Sequence, residues 1–409
     1  MWQGTGRIRV IVVWLHRWVG LLIASFLVLV GLTGSLLAFN TELERVFAPQ
    51  LFAAPQPHRP RLDLGELATR AERLVPEARV QAVTYTEWDQ VSVWFEPRTN
   101  PATGQPYELG FTEFFMDPWS GRELGRRIRG DLSEGAVNLM PFIYDLHWRL
   151  LLGDVGQWAL GIVALLWTVD CVLSVYLTLP SGRGPFWKRW WRAWQVRRRT
   201  GVVRVSFDVH RAGGLWLWPL LFIFAWSAVM MNIRPVYEVA MSAVFDYRPW
   251  IEPPVSSLPV TIRPRLDWHE ALLAGESLIA EQATRQGFTY GQALSLMYFP
   301  ESRTYLYEVR GSRDLFERSP KGGGTDVIFD GDTGAFRELS QPTGEHTGNT
   351  LESWLYALHM ARVFGRPYQV LVAALGILVT MLSATGVYLW WRKRQARKHA
   401  HRPRRAAHA

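Results

Sequence analysis

The sequence contains a single cysteine, Cys171, among its 409 residues. One cysteine cannot form a disulfide within the chain, and no CxxC or CxxCH spacing is present. This excludes iron–sulfur ligation, cysteine-based zinc sites and covalent attachment of a c-type haem. Any metal chemistry must therefore use histidine or carboxylate side chains.

Charged residues are nearly missing from four long stretches. Hydrophobic residues make up 48% of the chain and are concentrated at 10–39, 157–179, 212–233 and 368–391. Each stretch is long enough to cross a hydrocarbon core of about 30 Å at about 1.5 Å per residue. The first is also far longer than the apolar region of a secretory signal. These patterns predict four transmembrane helices.

Acidic residues are missing from two further segments. The loop 181–206 and the tail 392–409 each carry eight Lys or Arg and no Asp or Glu, whereas segments 40–146 and 234–353 hold 33 of the 36 carboxylates. Basic residues that flank spans favour the cytoplasm, so both termini and the short loop are predicted to be cytoplasmic. The net charge of +9 thus reflects topology, and nucleic acid is not an expected partner because no basic face forms.

The second half of the chain repeats the first. Three motifs occur once in each half: LHRWVGL at 15–21 and VHRAGGL at 209–215, FMDPWSGRELG at 115–125 and IFDGDTGAFREL at 328–339, and FIYDLHWRLLLG at 142–153 and WLYALHMARVFG at 354–365. Each half therefore runs from a transmembrane helix through an external domain to a second transmembrane helix. The copies are parallel and predict a pseudo-twofold axis along the membrane normal.

The predicted fold is a four-helix membrane bundle with two extracytoplasmic α+β domains. Each external segment shows a helical pattern followed by alternating strands. Asp117 and Asp330, each four residues before a glycine, are interpreted as turn residues. The predicted segments are transmembrane helix 1 at 10–39, external domain 1 at 40–146, interfacial helix and transmembrane helix 2 at 147–180, a basic loop at 181–206, transmembrane helix 3 at 207–233, external domain 2 at 234–353, interfacial helix and transmembrane helix 4 at 354–391, and a basic tail at 392–409.

Four of the ten histidines lie at the ends of the spans. His16 and His210 are near the cytoplasmic ends of spans one and three and are termed the inner pair; His147 and His359 precede spans two and four and are termed the outer pair. A single histidine there is commonly an interfacial polar residue, but buried imidazoles are costly unless paired or coordinated. Zinc requires three or four ligands, whereas haem requires two axial ligands. The duplication therefore predicts two bis-histidine haem sites.

Small and basic residues near these histidines could complete such sites. Gly20 and Gly214 follow the inner histidines by one helical turn, which leaves space for a macrocycle or allows close helix packing. Arg149 and Arg362 could neutralise haem propionates. The outer histidines are expected on short interfacial helices, whose tilt decides whether the imidazoles face the bundle. Histidine protonation in a transporter or sensor is an alternative use of the same residues.

The chain resembles the PepSY-associated transmembrane family, whose members are often described as iron-regulated membrane proteins. The resemblance runs from LHRWVGLLIASFLVLVGLTG at 15–34, through LHWRLLLGDVGQWALGIVALLW and the two Asp–Gly turns, to ATGVYLWWRKR at 384–394. Similar members include inner-membrane ferric-siderophore reductases that carry two b-type haems. The resemblance implies that His16, His147, His210 and His359 are axial ligands. It also implies that the external domains are PepSY-like. Asp170 and Ser174 depart from the family pattern.

The expected function is reduction of a periplasmic ferric chelate, such as a ferric siderophore, by electrons that cross the bacterial inner membrane through two b haems. No GxGxxG follows a strand, so the expected donor is a quinol or a separate cytoplasmic reductase. The tryptophans Trp88, Trp94, Trp119 and Trp250 are candidates for a chelate-docking surface, although domain core is the favoured interpretation for each. Two alternatives stay open: a membrane-anchored PepSY protein that binds or inhibits a peptidase, and a siderophore or metal permease.

Overall fold

The chain folds into two compact units. The computed structural model describes residues 3–182, 184–197, 201–249, 264–315 and 323–400. One unit, termed the helical unit, consists of Met1–Ala38, Tyr144–Tyr237 and Val370–Ala409. The other, termed the sheet unit, consists of Phe39–Ile143 and Glu238–Gln369. Trp250 lies outside the described residues.

The helices and strands follow the order expected for a duplicated chain. The α-helices are α1 (Gln3–Leu37), α2 (Asn40–Phe47), α3 (Leu64–Leu74), α4 (Leu139–Arg149), α5 (Gly153–Thr178), α6 (Phe186–Trp190), α7 (Val202–Asn232), α8 (Arg234–Val244), α9 (Trp268–Gln286), α10 (Thr347–His359) and α11 (Gly365–Ala400). The strands are β1 (Ala78–Glu87), β2 (Gln90–Pro97), β3 (Glu113–Met116), β4 (Glu123–Arg127), β5 (Tyr290–Phe299), β6 (Thr304–Gly311), β7 (Thr325–Asp330) and β8 (Phe336–Ser340).

Four helices in the described part of the chain are long and apolar enough to cross a membrane. Their spanning segments are Arg7–Leu37, Gly153–Thr178, Val202–Asn232 and Gly365–Lys398. They belong to α1, α5, α7 and α11, two from each copy. The predicted four transmembrane helices are confirmed.

The core of the helical unit draws on all four long helices. Its buried apolar residues are Ile23, Leu27, Val163, Cys171, Leu221, Leu375, Val379 and Leu382. Helices α1 and α11 pack closely where Gly31 meets Gly376: a Cβ added to Gly31 would lie 2.6 Å from the Gly376 carbonyl oxygen. The Ser35 hydroxyl also donates to the Ala373 carbonyl at 2.8 Å. Small residues thus let these two backbones approach, as is common between membrane helices.

The sheet unit contains one antiparallel sheet of eight strands, in the order β4-β3-β2-β1-β5-β6-β7-β8. The two α+β segments predicted from the sequence are present, but they share this sheet because β1 pairs with β5. In that pairing Val83 lies opposite Leu296, its equivalent 213 residues later. Antiparallel strands related by a twofold axis place equivalent residues opposite each other only at the axis. The pseudo-twofold axis of the sheet unit therefore passes between Val83 and Leu296, where Thr84 and Ser295 also share a hydrogen bond of 2.7 Å.

Two helices, α3 and α9, pack against each other and against the sheet. Their apolar faces join the strands in one core that includes Leu67, Ala71, Ala271 and Ile279. Each helix begins after an aspartate N-cap: Asp63 accepts from the Glu66 N–H, and Asp267 forms a capping box with Glu270. These caps satisfy backbone donors that the first helical turn leaves unpaired.

The two Asp–Gly motifs are structural turns, as predicted. Asp117 Oδ1 accepts from the Trp119 N–H at 2.8 Å, and Asp330 Oδ1 accepts from the Asp332 and Thr333 N–H groups at 3.0 Å. The glycine four residues after each aspartate has a positive φ, 67° at Gly121 and 70° at Gly334. A β-carbon would strain both positions, which explains the glycines.

Three carboxyl groups lie close together at the strands of the second copy, where Glu308 is buried and Asp314 and Asp326 are half-buried. Glu308 on β6 lies opposite Asp326 on β7, and Asp314 accepts from the Gly311 N–H at 2.7 Å. Burial raises the pKa of Glu308 to about 7 and that of Asp314 to about 6. Burial and the Glu308 charge also raise the pKa of Asp326 well above its usual range.

These raised pKa values predict that the sheet unit is more stable at mildly acidic pH. Between pH 4.5 and 7 the folded state binds more protons than the unfolded state, so stability falls as pH rises through this window. Amides of β6 and β7 should lose hydrogen-exchange protection from pH 5 to pH 8, by on the order of 2 kcal/mol after correction for intrinsic rates. Glu308→Gln should flatten this dependence and raise protection at pH 8.

The matched control for this measurement is Glu301→Gln, because Glu301 is exposed and precedes the same strand. It should leave the pH dependence of β6 and β7 unchanged. Gln at position 308 keeps an oxygen that accepts from the Gly324 N–H, a bond of 2.9 Å in the native chain. Equal pH dependence in Glu308→Gln and in the native protein would show that the buried carboxyl does not control this stability.

Candidate functional site

The helical unit brings together His16 and His210, the two histidines of the inner pair. His16 lies on α1 and His210 on α7. Their ring centres are 6.2 Å apart and the ring planes are tilted by 52°. Two imidazoles from equivalent helices of the two copies therefore lie close together in the bundle.

A carboxylate holds His16. Both oxygens of Asp170, on α5, lie near His16 Nδ1, at 2.9 and 3.0 Å. An ionised carboxylate only accepts hydrogen bonds, so Nδ1 carries the proton in this pair. In the neutral imidazole the lone pair is then on Nε2, which is available to a metal.

A backbone carbonyl holds His210. Its Nδ1 lies 3.0 Å from the Leu382 oxygen, which can only accept, and 3.3 Å from Thr385 Oγ1. The Thr385 hydroxyl donates to the same carbonyl at 2.9 Å, so Nδ1 is the donor to both oxygens. Gly386 makes room for the ring: a Cβ there would lie 3.2 Å from His210 Cε1. In neutral His210 the lone pair is therefore also on Nε2.

A threonine holds His147, one member of the outer pair. Thr33 Oγ1, on α1, lies 2.9 Å from His147 Nδ1 and donates its own hydrogen to the Leu29 carbonyl at 2.8 Å. The hydroxyl therefore accepts from Nδ1, which is the donor of this pair. A Cβ at Gly34 would lie 3.1 Å from His147 Cε1. Thr33–Gly34 on α1 and Thr385–Gly386 on α11 thus contact His147 and His210 in the same way.

This arrangement fits imidazole ligands to a metal. Histidines bound to metals usually donate their other ring N–H to a carboxylate or a backbone carbonyl, as His16 and His210 do. An imidazole nitrogen lies about 2 Å from a first-row metal ion and about 1.1 Å from its own ring centre, so two imidazoles that held one metal ion would have ring centres up to about 6 Å apart. The observed 6.2 Å agrees with that spacing. In the described part of the chain, no group of three His, Cys, Asp or Glu residues could hold a metal ion directly.

The glycines predicted to leave space beside the inner pair are open. A Cβ added to Gly20 or to Gly214 would meet no described atom within 4 Å. Close helix packing, the alternative interpretation of these glycines, therefore does not explain them. It applies instead to Gly31 and Gly376, where a β-carbon would meet the facing backbone.

The outer histidines occupy equivalent places in two short helices. His147 is in the last turn of α4 and His359 ends α10; His147 belongs to the helical unit and His359 to the sheet unit. The loops after them contain residues with left-handed backbone: Leu150 and Leu151 in one, Ala361 and Phe364 in the other. Such residues each cost about 1–2 kcal/mol. The pairing of His147 with His359 stays a prediction.

The two arginines proposed to neutralise propionates lie just after the outer histidines. Arg149 forms an ion pair with Asp145 at 3.2 Å, and its guanidinium lies over the Trp148 ring. Arg362 lies in the loop before α11, where its N–H donates to the Ala357 carbonyl at 3.2 Å. The ion pair already compensates part of the Arg149 charge, so a propionate there would compete with Asp145.

The tryptophans proposed for a docking surface differ in how much of each side chain is exposed. Trp119 is in the core, with 5% of its surface exposed, whereas Trp94 is 64% exposed. The favoured core interpretation is therefore correct for Trp119 and wrong for Trp94. Trp88 is half-buried and its ring centre lies 6.2 Å from that of Tyr85.

A comparison with models of protein families identifies the family of this chain. A model described as the PepSY-associated TM region matches residues 13–393. The chain belongs to this family. The match covers both copies of the duplication, including the sheet unit and most or all of each span. A search of curated proteins gave no match.

Within this PepSY-associated protein, the sequence left three features unassigned. Asp170 stood out only as a departure from the family pattern, although a carboxylate inside a span is itself a signal of a specific partner. The pairs Thr33–Gly34 and Thr385–Gly386 were visible as a Thr–Gly dipeptide in LTGSL and in ATGVY. Their contacts to His147 and His210 required the helix register, which spacing alone does not supply.

Proposed function

We propose that this protein transfers electrons across the bacterial inner membrane through two b haems and reduces a ferric chelate, such as a ferric siderophore, on the periplasmic side. The observation that carries the proposal is the inner pair. His16 and His210 lie 6.2 Å apart, and both have Nδ1 bonded to acceptors, so both can present Nε2 to one iron.

The residues proposed to hold the haems are the two histidine pairs. His16 and His210 would bind one group, and His147 and His359 the other. When bound, haem supplies reversible one-electron chemistry, and axial ligation and burial set its potential. The chain orients His16, His210 and His147 through their Nδ1 partners, and the apolar core of the bundle draws on the same four long helices. Gly20 and Gly214 leave space beside it.

The direction of transfer follows from the proposed topology. Basic residues cluster at one end of the helical unit, where Arg9 donates to the carbonyls of Leu177 and Leu179 at 2.7 and 3.1 Å. These contacts join the start of α1 to the end of α5, so both lie at the same end. By the positive-inside rule this end is cytoplasmic, and electrons would enter near it from a quinol or a separate reductase.

Ferric reduction requires no proton-transfer dyad, because an outer-sphere electron is sufficient. The sheet unit would then dock the chelate, and the exposed Trp94 is one side chain able to contact it. A peptidase-binding membrane anchor would instead need the sheet unit alone, and a permease would need a path for the chelate. Neither alternative accounts for two histidines that lie this close together with Nδ1 of each bonded to an acceptor.

An optical spectrum of the purified full-length protein tests this proposal. After expression with adequate haem supply, we expect a reducible low-spin b-type spectrum and about two haems per chain, as two bis-histidine sites would give. A ferric siderophore added to the reduced protein should reoxidise it. Colourless protein would overturn the redox function and favour the peptidase-binding or permease alternatives.

A further inference from the structure

The two inner histidines are held by chemically different groups. His16 Nδ1 contacts the Asp170 carboxylate at 2.9 Å, whereas His210 Nδ1 contacts the Leu382 backbone carbonyl at 3.0 Å. Asp170 and Leu382 are equivalent in the duplication, since each lies six residues before the equivalent tyrosines Tyr176 and Tyr388. At this position the two copies therefore differ by a full negative charge.

The Asp170 charge is placed to act on His16. The Asp170 side chain is 10% exposed and lies inside the span Gly153–Thr178, where an ionised carboxylate is costly without a partner. Among the described residues, its one ion pair is with His16. Both carboxylate oxygens take part in this contact, since the second Asp170 oxygen is 3.0 Å from the same nitrogen.

From this asymmetry we infer that Asp170 is a positioning residue that lowers the reduction potential of the haem held by His16 and His210. The inference rests on the proposed function. A carboxylate that accepts from the non-ligating nitrogen makes a histidine a more basic ligand, and a nearby negative charge stabilises the ferric over the ferrous state.

A lower potential at the inner haem gives the electron path a direction. Electrons arriving at the proposed cytoplasmic end would pass from the lower-potential inner haem to a higher-potential outer haem. His147 is held by the neutral Thr33 hydroxyl, which adds no charge. Of the Nδ1 partners described for His16 and His147, only that of His16 carries a charge, which would favour outward transfer.

The test is a redox titration of the full-length dihaem protein, followed optically, for the wild type and Asp170→Asn. Asn keeps an oxygen acceptor for His16 Nδ1 but removes the charge, so a role limited to hydrogen bonding would leave both potentials unchanged. We expect Asp170→Asn to raise one potential by at least 59 mV, a tenfold change in the one-electron equilibrium. Asp170→Glu should restore it. Asp154→Asn, on the same helix at an exposed position, should change neither.

A second measurement keeps the inference testable if Asp170→Asn cannot hold its haem. In the wild type, the lower-potential haem must be the one that is missing from His210→Ala. Loss of the higher-potential haem in that variant would overturn the inference, as would unchanged potentials in Asp170→Asn. Both results leave the proposed dihaem function standing, whereas a wild-type protein without haem overturns the two together.

Discussion

Alanine at His210 is expected to reduce the haem content from about two to about one per chain, and alanine at His16 should remove the same haem. The reason is that both imidazoles serve one iron, so either loss leaves a single axial ligand. The remaining haem should keep its low-spin spectrum, because His147 and His359 are unchanged. Haem counting by extraction and low-temperature spectra would measure both effects.

The His16 variant needs a modified background. Alanine there would leave the Asp170 carboxylate inside the membrane without its partner, and breaking a buried pair costs about 3–5 kcal/mol. Loss of haem could then reflect unfolding. His16→Ala should therefore be combined with Asp170→Leu, because leucine occupies the equivalent position 382 in the second copy.

A matched control is His269→Ala, since His269 is exposed on α9 of the sheet unit. It should retain both haems. Alanine at His147 and at His359 should each remove the other haem, which the inner variants keep. Loss of the same haem in His210→Ala and His147→Ala would contradict the pairing, and would place one ligand from each end of the bundle on one iron.

The fold was largely predictable because its signals are local and repeated. Four apolar stretches exceed the length of a bilayer core, and the Asp117 and Asp330 turns carry glycine at the position where φ is positive. The joining of the two external segments in one sheet was not predictable. The pairing of Val83 with Leu296 depends on a long-range contact between strand edges, which alternation of apolar residues does not encode.

The candidate site was predictable in its histidines but not in the groups that orient them. Duplication alone pairs His16 with His210. The partners are a carboxylate on another helix, Asp170, and a backbone carbonyl at Leu382 that any residue type would supply. Nothing in residue identity marks a carbonyl, so that contact is accessible only from coordinates.

Replacing Gly20 or Gly214 with leucine is expected to lower the haem content of the protein without lowering the stability of the polypeptide. A β-carbon at either position meets no described atom within 4 Å, and leucine has a better helix propensity than glycine. The haem-free protein should therefore unfold within about 2 °C of the wild type. A macrocycle beside His16 and His210 would meet the added side chain, so haem content should fall to about one per chain.

Two controls on α1 define the interpretation of this experiment. Ser25→Leu adds similar bulk at an exposed position and should alter neither stability nor haem content. Gly31→Leu should destabilise even the haem-free protein, because a Cβ there would lie 2.6 Å from the Gly376 carbonyl oxygen. Full haem content in both Gly20→Leu and Gly214→Leu would show that no flat cofactor lies against these glycines. The haem of the inner pair would then lie on another side of His16 and His210, since their 6.2 Å spacing does not depend on the two glycines.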